Sequence, residues 1–234
     1  MLGIIGALDK EVDALRRQMT NTEEKQTGFT RFTVGDLWDE RICLARCGMG
    51  KVHAALCAQS MITEFAVSAV LNIGVAGALR PTLGIGDAVV ADSAVQHDMD
   101  TSPIGDPVGM VSGPNIVHFP CDSTLSSLLK QAAEEAGLRC ETGAVATGDQ
   151  FIVGTEKKNW LADFFGAAAC DMEGGAIAQC CYEMNVPYAA VRLISDTRDG
   201  DGREYMEKAL FACACEEKLL RCFMRLCREE KRHG

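Results

Sequence analysis

A chain of 234 residues, 47% hydrophobic and 24% charged, is long enough for one α/β domain with a sizeable core and too apolar for general disorder. Its formal charge of −10, with no basic stripe before the short C-terminal tail, excludes nucleic acid and anionic membrane as expected partners, because a negative surface repels phosphate. MLGIIGALDKEV has neither the basic start nor the cleavage site of a secretory signal, and no apolar run is of bilayer length, so the expected location is cytoplasmic.

In chain order, short apolar runs predict strands over 2–6, 30–34, 41–46, 69–73, 87–91, 140–147, 167–170 and 188–194. Helical periodicity lies between them. Leu125, Leu128, Leu129, Ala132, Ala133 and Ala136 form one face, as do Ala176, Ile177, Cys180, Cys181 and Met184. A last helix over about 202–228 carries Ala209, Ala212, Cys213, Leu220, Phe223 and Cys227 on one side. Runs such as AVLNIGVAG alternate little, which suits a sheet covered on both faces. The expectation is a single α/β domain over 1–234 with a central mixed sheet flanked by helices. Residues 99–120, rich in Gly and Pro, are long for a connection and read as a lid or partner contact.

Twelve cysteines invite a disulfide or metal reading, yet no C-x-x-C pair occurs and no Cys–His set has zinc spacing. Cysteine as a small core hydrophobe in a reducing compartment is the expectation, with no metal and no cofactor.

Four clusters hold chemistry-bearing residues. GIIGALDKEV is a strand, a Gly-containing turn and a helix holding Glu11, an acid placed where open α/β sheets bind ligands. The same acid also suits the positive end of a helix dipole. It is not a dinucleotide fingerprint, since Gly3 and Gly6 do not fit G-x-G-x-x-G. NIGVAGAL reads as a second Gly-rich turn, either for close approach of a ligand or for packing.

DMEGGAIAQCC places Met172 and Glu173 where a strand gives way to a helix. There a carboxylate can be held ionised by helix N–H groups and accept two ribose hydroxyls, or simply cap the helix. VRLISDTRDGDG runs a buried strand out into Ser195 and Asp196, a serine that can hold a carboxyl and an acid that, kept protonated, can donate to a leaving base. The stretch from Asp196 to Glu207 also has the ends of a calcium loop, but an apolar strand precedes it instead of a helix.

GIIGALDKEV, CGMGKV, NIGVAGAL, GDAVVAD, ATGDQFIVG, DMEGGAIA and VRLISD together resemble the nucleoside phosphorylase superfamily. They are most similar to its bacterial 5′-methylthioadenosine/S-adenosylhomocysteine nucleosidases, in order and spacing over nearly the whole chain. The resemblance implies a homodimer that hydrolyses the N-glycosidic bond of an adenine thio-nucleoside. In it Glu11 activates water with Arg192 nearby, Met172 and Glu173 hold the ribose, and Asp196, supported by Ser195, protonates adenine N7. Phe151 and Ile152 would meet the purine, and Leu8, Met49 and Tyr205 the 5′-alkylthio group. Thr101 and Ile104, in the long loop, would close over the pocket of the other subunit. Val75 departs from the family's Ser or Thr, and Gly174 and Gly175 replace bulkier residues. The resemblance also leaves room for sibling activities, namely purine phosphorolysis or hydrolysis of an aminofutalosine-type nucleoside, and for a nucleoside-binding protein without catalysis.

Overall fold

The computed structural model describes residues 1–200 and 203–233. In chain order the elements are β1 (Leu2–Gly6), α1 (Asp9–Arg16), β2 (Thr20–Thr27), β3 (Thr30–Leu37), β4 (Glu40–Arg46), α2 (Lys51–Phe65), β5 (Ala69–Asn72), β6 (Val75–Ala78) and β7 (Ala88–Gln96). There follow a 3₁₀ turn (Ser102–Ile104), β8 (His118–Pro120), α3 (Ser123–Glu135), β9 (Cys140–Thr147), α4 (Thr155–Phe165), β10 (Ala167–Asp171), α5 (Gly174–Glu183), β11 (Tyr188–Asp196) and α6 (Arg203–His233).

The strands form one mixed sheet in the order β2-β3-β4-β1-β5-β11-β6-β10-β9-β7-β8. An additional antiparallel pairing of β7 with β11 closes β11, β6, β10, β9 and β7 into a ring. Helices cover both sides, so β10 and β11 are buried along their whole length. That explains their lack of polar alternation. On one side α2 and α5 bury Cys57, Met61, Ile177 and Cys181; on the other, α1, α3 and α6 bury Leu15, Leu129, Phe223 and Met224. The fold class is therefore the expected one.

Departures from the expected elements have identifiable causes. β2, TNTEEKQT, is exposed almost throughout and carries no apolar pattern; it exists because its backbone pairs with β3 at the sheet edge. NIGVAGAL is only briefly a turn. Gly74 takes φ +144°, and Val75–Ala78 then runs as β6 between β11 and β10, so the expected Gly-rich turn is mostly a strand. Residues 99–120 also contain more order than a loop. Val111 bridges Ile116, and β8 extends the sheet beyond β7. The last helix runs on to His233, and its expected first residue, Gly202, lies outside the described residues.

All twelve cysteines are free. Burial pushes the Cys43 thiol up to about 12, so it sits in the core as a neutral apolar group. Among the described residues no helix is long and apolar enough to cross a membrane, and no group of three or more His, Cys, Asp or Glu could hold a metal ion.

Candidate active site

The site starts from the sheet register. Asp196 on β11 pairs with Gly77 on β6, and Gly77 pairs with Cys170 on β10, so the three stand in one row. A side chain at position 77 has no room there: its Cβ would lie 2.9 Å from Asp196 Oδ2 and 3.2 Å from Cys170 Sγ. Glycine here lets two functional strands approach each other.

Above this row lies a cleft that opens to solvent, with about 580 Å³ of space counted out past its mouth. Its acids come from three distant parts of the chain, Glu11, Glu173 and Asp196, together with Asp171. Leu8, Met49, Phe151, Ile152, Met172, Ser195 and Tyr205 complete most of the wall. Ile152 is buried, whereas Met49 and Phe151 are more than one-third exposed and stand at the opening. Tyr205 packs edge-to-face on Phe151 at 5.3 Å, and Lys10 Nζ donates to Tyr205 Oη at 3.1 Å.

Glu11 is fixed by backbone alone. Oε2 accepts from Ala7 N at 2.7 Å and Leu8 N at 2.8 Å, and Oε1 accepts from Val75 N at 3.2 Å. A Cβ at Gly74 would stand 2.9 Å from Oε1, so that positive-φ glycine shapes the acid's seat. Burial raises the Glu11 carboxyl above its usual range, against the lowering effect of these amides and of Arg192.

Glu173 is not held as its place at a helix start predicts. Its carboxyl makes no hydrogen bond to the N–H groups of α5, and Oε1 instead accepts from Gly50 N at 2.7 Å. The helix start is served by other side chains. Asp171 Oδ2 accepts from Gly174 N at 2.9 Å, and Thr147 Oγ1 accepts from Gly175 N at 2.7 Å. Deprived of those donors, Glu173 is pushed up to about 8, first by burial and then by the charge of Asp171. The expectation of a carboxylate kept ionised by the helix is thus corrected.

Asp196 has a different environment. Lys158, completely buried on α4, donates from Nζ to Asp196 Oδ2 at 2.8 Å and to Thr197 O at 2.7 Å. Ser195 Oγ donates to Asp196 Oδ1 at 3.1 Å and to Ala76 O at 3.3 Å. The acid expected to stand protonated is therefore ion-paired here.

Arg192, Thr101 and Ile104 do not line the cleft. Arg192 lies behind its wall, with Nε and Nη2 donating to Asp171 Oδ2 at 3.1 and 2.6 Å and Nη1 donating to Asn72 O at 3.0 Å and Val191 O at 3.1 Å. Nη2 also meets Asn72 Oδ1. The guanidinium thus acts on Glu11 and Glu173 through its charge. Ile104 is 83% exposed and Thr101 Oγ1 donates to Asp106 Oδ2 at 2.7 Å, so both belong to an outer surface of this chain.

Sequence reasoning missed Asp171, Lys158 and Gly50. Asp171 was legible as an acid ending the wholly apolar run AAAC. Lys158 shares helix spacing with Leu161 and Phe165, both buried, so a lysine on the apolar stripe was the signal. Gly50 acts by its backbone N–H and leaves no side-chain signature.

Fold and cleft together define an α/β protein that receives a small molecule among buried acids beside one open strand end. The chain belongs to the phosphorylase superfamily, whose family model matches residues 1–228. It is 36% identical over 218 residues to a 5′-methylthioadenosine/S-adenosylhomocysteine nucleosidase of Staphylococcus saprophyticus, covering 91% of this chain and 95% of the relative. A Neisseria meningitidis nucleosidase of that name, solved in complex with methylthio-immucillin-A, superposes with a TM-score of 0.91 at 31% identity, covering 95% and 97% of the two chains. A futalosine hydrolase of Helicobacter pylori superposes with a TM-score of 0.90 at 32% identity, covering 96% and 97%.

Proposed function

We propose that this protein is an N-glycosyl hydrolase that cleaves 5′-methylthioadenosine and S-adenosylhomocysteine, releasing adenine and the 5′-thio-substituted ribose. The observation that carries this is the convergence of Glu11, Glu173 and Asp196 on one cleft with an apolar wall. The names of the relatives supply the substrate class.

Breaking the bond to adenine leaves positive charge on the sugar, which calls for nearby anions, a protonated leaving group and a nucleophile. Glu11 takes a proton from the attacking water. Glu173 accepts hydrogen bonds from the ribose hydroxyls beside Met172. Asp196, oriented by Ser195, protonates adenine N7, while Phe151 and Ile152 contact the purine. Leu8, Met49 and Tyr205 receive the 5′-alkylthio group. Arg192 tunes the acids from behind the wall, with its charge favouring the ionised forms of Glu11 and Glu173.

The same reading includes a cytoplasmic homodimer without cofactor or nucleic-acid partner. A groove between α2 and α5 supports self-association, since Val52 and Leu56 stand 70% and 62% exposed there. Thr101 and Ile104 then belong to the surface offered to the other subunit's cleft.

Incubation with 5′-methylthioadenosine, with and without inorganic phosphate, tests the activity by free adenine. Release independent of phosphate is expected, because Val75 brings no hydroxyl to hold a phosphate nucleophile; strict phosphate dependence rejects hydrolysis. The futalosine hydrolase neighbour motivates a second reading, hydrolysis of an aminofutalosine-type nucleoside, which prevails if that substrate is cleaved and the thio-nucleosides are not.

A further inference from the structure

A lysine with no exposure is an expensive residue to keep. Removing an ammonium from water costs several kcal/mol, and an apolar residue of similar volume in its place is often no less stable. Lys158 is nevertheless wholly buried, while its neighbour Lys157 lies over the Trp160 ring at 3.9 Å. The Lys158 ammonium is spent on two oxygens at the end of β11: Asp196 Oδ2 at 2.8 Å and the carbonyl of Thr197 at 2.7 Å. Ser195 Oγ donates to the other carboxyl oxygen of Asp196. Beside the pair, among the described residues, stands the Cys170 thiol on β10, which burial keeps protonated. Asp171, farther along that strand, is occupied by Arg192.

This arrangement conflicts with a simple general acid. An acid must hold a proton to give one, and here the Asp196 carboxyl stands in an ion pair with the Lys158 ammonium. We propose that Lys158 and Asp196 work as one proton-carrying pair, in which Lys158 is a positioning residue that supplies to Asp196 the proton it passes to the departing purine.

The inference rests on the hydrolase reading above. In the step, the C1′–N9 bond breaks and its electron pair enters the purine. In the same event one proton moves from Lys158 Nζ to Asp196 Oδ2 and one from Asp196 to N7, which leaves a neutral amine beside a carboxylate. Water gives hydroxide to C1′ and its proton to Glu11. When products leave, solvent exchange returns that proton to the lysine, so the cycle balances.

The experiment compares two leaving groups in Lys158→Met and Lys158→Arg. One substrate is 5′-methylthioadenosine; the other is a nitrophenyl riboside with the same 5′-methylthio group, whose nitrophenolate departs without a proton. Lys158→Met is expected to slow adenine release roughly a hundredfold while nitrophenolate release stays within about threefold of wild type. Lys158→Arg keeps the charge but grips its proton more firmly, and shows the same split to a smaller degree. An equal fall on both substrates marks a merely structural lysine and overturns the proposal, as does no fall on either. Should Lys158→Met lose its circular-dichroism signature, the same comparison in Lys158→Arg decides. If wild-type protein releases no adenine at all, it is the hydrolase reading that has failed.

Discussion

The two ends of the cleft treat their acids in opposite ways. At one end Glu11 and Glu173 are buried with backbone amides as their hydrogen-bond partners among the described residues, and burial raises both carboxyls, Glu173 to about 8. The cation that serves this end, Arg192, is one layer back and paired with Asp171. At the other end Asp196 is as deeply buried, yet it has an ammonium in direct contact. Buried acids are thus held in two ways, by backbone amides with a cation one layer back at one end and by a contacting ammonium at the other.

The largest expected effect breaks the Lys158 end. Asp196→Asn leaves an amide that cannot protonate the purine, so adenine release from 5′-methylthioadenosine should fall by about a thousandfold. The circular-dichroism spectrum should be unchanged, and wild-type-like turnover in that variant would remove Asp196 from the chemistry.

A next test breaks the layer behind the other end. Asp171→Ala leaves the Arg192 guanidinium buried without its carboxylate and removes a cap from α5. Such a loss costs about 3–5 kcal/mol, measurable by urea denaturation. A change below about 1 kcal/mol would mean that Asn72 and the carbonyls alone satisfy the arginine.

Glu173→Gln sharpens the comparison by setting stability against activity. The folded state holds the Glu173 proton more firmly than the unfolded chain does. Its stabilising contribution is therefore full below the ordinary 4.5 and is lost as pH climbs through about 8. Wild-type Tm should fall between about pH 4.5 and pH 8 more steeply than that of the variant, which should melt higher at the alkaline end. The same variant should lose roughly a hundredfold in kcat/KM, since an NH2 group replaces one of the two oxygens that meet the ribose hydroxyls. Parallel Tm profiles would show that Glu173 ionises as freely in the fold as outside it.

The smallest effect is expected at Val75, which meets Glu11 through its backbone N–H. Val75→Ser preserves that contact, so kcat/KM should change by less than about tenfold, equivalent to a single modest hydrogen bond. Appearance of phosphate-dependent adenine release in that variant would show that one hydroxyl suffices to admit phosphate.

Much of the architecture was legible because buried strands announce themselves: β1 and β9 lie within the limits their apolar runs predict. β2 was invisible because its pairing is a backbone affair, and β6 was mistaken for a turn because Gly77 marks a close approach of neighbouring strands. Within the site, strand ends pointed to Glu11, Glu173 and Asp196, although a helix-end or turn acid explains each place taken singly, and only the three together point to one cleft.

The order of apolar and small residues carries the fold class, buried strands such as β1 and β9, and the acids that follow such runs, for these depend on local periodicity and on chain continuity. Only the tertiary structure decided the partners: Gly50 for Glu173, Lys158 for Asp196, Asp171 for Arg192. Proton affinity depends on desolvation and on charges within a few ångströms, and those distances come into being only when segments remote along the chain are packed together.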